Sequence, residues 1–152
     1  MKKTILLLLA LSGLWLPPMA QAQSTNNTLL VVVNSRNVST AVSARDIADL
    51  YLGRTRNLPN GQSIVAVDHP GASAVRARFY RALTGKAITD INAYWARLLF
   101  TGQSSPPQPL ADSAAVIEAI KSNPGLIGYV EQAQLPNPEA LGLKVILSIN
   151  AP

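Results

Sequence analysis

The stretch "SIVAVDHPGASAVRARF", residues 63–79, joins an apolar, β-branched run to a segment with helical spacing. The run "SIVAVD" reads as a strand that ends at Asp68. From about Ser73 to Leu83, the apolar residues Val75, Phe79 and Leu83 recur every four positions, which is the spacing of one helix face, and Gly85 can end that helix. The quoted stretch is therefore a strand-to-helix corner. At its apex Gly71, Ala72, Ser73 and Ala74 carry almost no side chain. Small residues let a guest approach the backbone, and a helix start offers unpaired N–H groups with a partial positive charge, so the corner suits an anion. Arg76 fits the same reading, because a cation in a first turn opposes the helix dipole unless an anion sits beside it. The same small residues also suit a helix packed closely on a strand with no ligand. Arg76, Arg78 and Arg81 cannot all face one site, and at least two belong to a solvated face.

Working outward, "TLLVVVN" is a β-branched run ending at Asn34 that reads as a buried strand. "SARDIADLYLG" follows as a helix, with Ser43 as cap, Asp46 three residues on, Ile47, Leu50 and Tyr51 on one face, and Gly53 as the stop. "LPNGQ" is a turn. Beyond the corner, "TDINAYWARLLFTG" is an amphipathic helix with Thr89 as its expected cap, and its Tyr94 and Trp95 fall on the apolar face as core residues. "QSSPPQP" reads as a loop. "DSAAVIEAIKSN" is a helix capped by Asp112 and stopped at Pro124 and Gly125, and it precedes the strands "LIGYV" and "LKVILSI". Alternating strands and helices predict an α/β fold with helices packed on a mixed sheet.

The N-terminus has a different character. Lys2 and Lys3 precede an apolar run from Ile5 to Leu16, then Pro17 and Pro18, then Ala20-Gln21-Ala22, the small-x-small form of a signal peptidase site. Residues 1–22 are expected to be an export signal and residues 23–152 one periplasmic domain. Removing Lys2 and Lys3 from the 13 basic residues leaves 11 against 8 acidic ones, a net charge of +3. That mild, dispersed balance suits a small anion better than a nucleic acid. No stretch is long and apolar enough to span a membrane. Without cysteine, a disulfide or thiolate metal site is excluded. A single histidine, His69, with no nucleophile motif beside it and no metal-ligand spacing, argues against an enzyme and against a bound metal or cofactor.

The segments "VVVN", "ARDIADLYLGRTRNLPNGQSIVAVDHPGASAVRARF" and "NPGLIGYVE", in that order, resemble one lobe of the periplasmic phosphate-binding proteins that serve phosphate ABC transporters. The likeness runs from about Val31 to Glu131. "AYWARLLFTGQSSPP" further resembles small, stand-alone proteins of that kind. The resemblance implies a periplasmic-binding-protein-like fold and an oxyanion, phosphate or sulfate, held partly by a helix N-terminus between two lobes. Together with the small-residue corner and Arg76, it gives a candidate anion site of His69, Gly71, Ala72, Ser73, Ala74, Val75 and Arg76. Ser73 matches the family's serine, while Ala74 takes its glycine position, Val75 its threonine position and His69 the position of its phosphate-gripping arginine. The last change exchanges a fixed guanidinium charge for an imidazole that gains charge only in mild acid.

Only one lobe is present, so the opposing wall is missing and a partner or a second copy would be needed to close the site. Two readings follow. One is a periplasmic solute-binding protein for phosphate or a similar oxyanion, with a transporter permease as partner. The other is an adaptor or sensor module that kept the lobe and lost tight anion binding, with a sensor or receptor as partner.

Overall fold

A computed structural model describes residues 27–37 and 41–152. The expected export signal, residues 1–22, lies outside the described residues. In chain order the elements are β1 (Thr28–Asn34), α1 (Ala44–Tyr51), β2 (Val65–Asp68), α2 (Ala74–Thr84), α3 (Ile88–Phe100), β3 (Gln108–Pro109), α4 (Ser113–Ser122), β4 (Leu126–Glu131) and β5 (Leu143–Asn150). Two single turns of 3₁₀-helix, Gln132–Gln134 and Glu139–Leu141, link the last two strands.

The strands form one sheet in the order β3-β2-β4-β1-β5. β2 runs parallel to β3 and β4, whereas β1 runs antiparallel to both its neighbours, β4 and β5. The sheet is thus mixed, as expected, and helices cover both faces. Successive residues of β1 point to opposite sides. Leu29, Val31 and Val33 pack in one core with Ile47, Tyr51 and Phe79 of α1 and α2 and with Trp95 of α3, while Leu30 and Val32 pack in a second with Val116, Ile117 and Ile120 of α4. Burial on both faces is why "LLVVV" reads as an unbroken apolar run instead of an alternation. Gly128 lets α4 lie this close to the sheet: a Cβ there would stand 2.5 Å from Val116 Cγ1 and 3.0 Å from Ile120 Cδ1.

Most helix ends follow the sequence. Ser43 and Asp46 form a reciprocal capping box on α1, Asp112 caps α4, and Gly85 ends α2 in the left-handed region at φ 70°. Two expectations are corrected. α3 starts at Ile88, with Ala87 as an N-cap that makes no side-chain bond, so Thr89 lies inside the first turn; half-buried Ile88 packs on the core and draws the helix one residue earlier. The loop "QSSPPQP" ends in a strand: Gln108 and Pro109 pair in parallel with Val67 and Asp68. Pro106 and Pro107 carry no N–H to donate, and pairing begins directly after them.

Candidate functional site

The corner follows the carboxyl end of β2, and everything beneath it is organised by the last residue of that strand. Asp68 is buried, and its two oxygens receive four donors. Oδ1 accepts from the Tyr129 hydroxyl at 2.5 Å and from the His69 backbone N–H at 2.8 Å. Oδ2 accepts from Arg76 Nε at 2.9 Å and from the Tyr80 hydroxyl at 3.0 Å. Arg76 also donates from Nη1 to Asn92 Oδ1 at 2.9 Å, and its guanidinium lies 5.0 Å from the centre of the Tyr80 ring. A buried charge pair is tolerated only when its remaining donors and acceptors are met, and here the phenols, the amide and Asn92 meet them.

The aromatic floor is continuous with this network. Tyr129 stacks flat on Phe79 at 3.5 Å between ring centres, and Tyr51 meets both edge-on while donating its hydroxyl to the Val67 carbonyl at 3.0 Å. Burial, and after it the neighbouring Asp68 charge, raises the ionisation of Tyr51, Tyr80 and Tyr129 well above that of a free phenol. All three remain neutral donors at any physiological pH.

Above the network the chain turns sharply. Ser73 N–H donates to the Pro70 carbonyl at 2.9 Å, and Ser73 then caps α2, its Oγ accepting from the Arg76 N–H at 3.4 Å. Gly71, Ala72 and Ala74 are exposed, and Ser73 and Val75 are half-buried. Ala74 and Val75 occupy the first turn, where the helix itself leaves N–H groups without a partner.

The seven residues singled out from the sequence thus separate into two layers. Gly71 to Val75 make a small-residue apex where the Ser73 amide donates to Pro70 and the helix leaves those of Ala74 and Val75 without a partner. His69 and Arg76 turn inward. His69 is buried with Nε2 2.9 Å from the Tyr129 carbonyl, and because a carbonyl only accepts, Nε2 carries the hydrogen. Arg76 places its charge on Asp68 instead of holding it open toward the apex, which corrects the expectation that it supplies a free cation. The sequence reading missed the carboxylate at the centre, Asp68, and its partners Tyr80 and Tyr129. The available signal was an acid ending an apolar strand with an arginine eight positions later, one turn into a helix.

The first turn of α2 also differs in charge from those of the other helices. α1 carries Asp46 and α3 carries Asp90 in their first turns, α4 is capped by Asp112, and α2 has no acidic residue there. Its dipole has no carboxylate of its own to meet.

The arrangement is that of a periplasmic-binding-protein-like lobe, an α/β sheet with a helix N-terminus exposed at the carboxyl end of a strand. Several solved structures share this fold. One is from Clostridium perfringens, assigned as a phosphate ABC transporter substrate-binding protein and crystallised with bound phosphate: TM-score 0.59, 16% identity, 78% of this chain and 43% of that one covered. PstS from Borrelia burgdorferi gives a TM-score of 0.59 at 15% identity, covering 78% of this chain and 46% of that one. An ABC-type phosphate transport receptor from Vibrio cholerae gives 0.57 at 15% identity, covering 84% and 52%. The chain therefore spans about half, or less, of the length of the proteins whose fold it shares. No protein-family model and no curated protein matches the sequence. Among the described residues, no helix is long and apolar enough to cross a membrane.

Proposed function

We propose that this protein is a periplasmic solute-binding module, not an enzyme, that holds phosphate or a similar oxyanion at the apex formed by Gly71, Ala72, Ser73, Ala74 and Val75. The observation that carries the reading is the first turn of α2, which has free amides, a serine hydroxyl and exposed small residues but no carboxylate. The likeness to lobes of phosphate-binding proteins, one of them crystallised with phosphate, supports it. His69 and Arg76 act from below: they fix the strand end and the helix start and do not touch the anion. The anion is held by backbone dipoles and one hydroxyl with one wall open to solvent, so affinity is modest and falls with salt unless a second copy or a transporter permease covers the corner. Residues 1–22 direct export and are removed.

One observation favours the adaptor reading. The two positions that would bring charge to the anion, His69 and Arg76, are bonded to the Tyr129 carbonyl and to Asp68. Calorimetric titration with phosphate and with sulfate, paired with light scattering for mass, separates the two. Saturable heat that disappears in Ser73→Asp supports anion binding, whereas no heat at millimolar anion with an intact fold favours an adaptor or sensor module.

A further inference from the structure

A cleft of about 470 Å³ lies at the other end of β2, away from the anion corner. It opens at a gap in the pairing of the sheet edge. The outer edge is paired at two separated places: just before β2, Ile64 N–H donates to the Arg56 carbonyl at 2.9 Å, and within it Val67 and Asp68 pair with Gln108 and Pro109. Between them Ser104, Ser105, Pro106 and Pro107 run past Val65 and Ala66 without pairing, and the gap they leave is the cleft. Leu50, Ile64 and Trp95, all buried in the core, form its floor. Gly53 keeps that floor open, because at φ 69° a side chain is strained and its Cβ would stand 2.9 Å from Trp95 Cη2 and 3.1 Å from Ser104 Oγ.

The chemistry of the walls is one-sided. Arg56, an exposed side chain, is the one basic residue among those lining the cleft, and no acidic residue lines it. Ser63, Ser104 and Ser105 line the same opening, with Ser104 Oγ beside Gly53. Val65, 61% exposed although it is an apolar strand residue, borders it. An apolar floor with one cation and hydroxyls at the rim fits an amphipathic ligand, and the volume lies within the roughly 300–1,000 Å³ of small-molecule sites. We propose that this cleft binds a small organic monocarboxylate, its aliphatic or aromatic body on Trp95 and Leu50 and its carboxylate on Arg56 and the serine hydroxyls. The site is independent of the anion corner.

Trp95 gives a direct readout. In the chain carrying Trp15→Phe it is the sole tryptophan, and its ring edge faces the cleft beside Gly53. Hexanoate and benzoate, titrated against Trp95 emission and confirmed by calorimetry, should each bind saturably at millimolar concentration or below. Hexanamide, which has the same body without the charge, should bind roughly ten-fold more weakly. Arg56→Gln should weaken hexanoate about ten-fold, and Val65→Phe, a surface change that narrows the mouth, should weaken it further. Ser73→Ala, at the other end of β2, should leave hexanoate binding unchanged, and inorganic phosphate should not displace it. The proposal is overturned if neither carboxylate binds, if Arg56→Gln and Val65→Phe both bind hexanoate as the unmodified cleft does, or if phosphate competes.

Discussion

The first turns of α1 and α2 are built on the same residue in the same place and finished in opposite ways. Ser43 and Ser73 both cap their helices by accepting from the N–H three residues on. In α1 that third residue is Asp46, whose carboxylate returns to the Ser43 amide at 2.8 Å and hydroxyl at 2.6 Å, so the helix start is closed by its own anion at the surface. In α2 the third residue is Arg76, which reaches down to a carboxylate in the core and leaves the surface of the turn without one. One helix start is satisfied from above and the other is anchored from below. An anion has a reason to visit only the second.

The largest expected effect tests the anchor. Asp68→Ala strands the Arg76 charge in the interior and removes an acceptor from two buried phenols, and breaking a buried pair from one side costs about 3–5 kcal/mol. Chemical denaturation should register that loss, and the double change Asp68→Leu with Arg76→Met should recover much of it. A cost near that of an ordinary surface substitution would mean that α2 is not held from below.

Next in size is the conversion of one helix start into the other. Ser73→Asp gives α2 a carboxylate cap of its own, so phosphate or sulfate binding should fall ten-fold or more while stability holds or rises slightly. Retained affinity in this variant would detach the anion from the α2 turn.

The tyrosines around the anchor predict an alkaline limit. Their folded ionisation lies above the roughly pH 10 of an unfolded phenol, so below that pH their contribution is intact. Above it the unfolded chain releases protons that the core retains, and stability falls by up to about 1.4 kcal/mol per pH unit for each phenol. Tyr129→Phe should make the fall between pH 10 and 12 shallower in thermal melts. An unchanged slope would mean that this phenol does not titrate differently in the two states.

The smallest effect belongs to the surface cap. Ser43→Ala should cost about 1 kcal/mol of stability and leave anion affinity untouched.

The elements themselves were legible because their signals are local. Ser43 with Asp46, Asp112 before α4, and Gly53 and Gly85 at helix ends each act within one turn of chain, and each acts in the structure as its residue type predicts. The strand-to-helix corner between Asp68 and Ala74 was legible for the same reason. What was not legible is non-local. Tyr129 lies 61 positions from Asp68 and Asn92 lies 16 from Arg76, and no periodicity reports either contact. A lone Arg76 near a helix start looks like a free charge until the carboxylate beneath it is seen. β3 was hidden by its brevity, and Thr89 was a plausible cap until the packing of Ile88 moved the start of α3.

The position of β1 in the sheet has a consequence for how the chain assembles. The first described strand has both edges covered by the last two: Leu29 faces Glu131 on one side and Ile149 on the other, and the Ala151 N–H closes onto the Asn27 carbonyl at 2.9 Å. Both partners of β1 follow every other described strand in the chain, so the middle of the sheet cannot form in chain order. Contacts of such long sequence separation carry their loop-closure entropy before they return any stability, which makes folding slow and late for a chain of this size. A nascent or threading chain keeps the apolar strand "LLVVV" unpaired until β4 and β5 arrive.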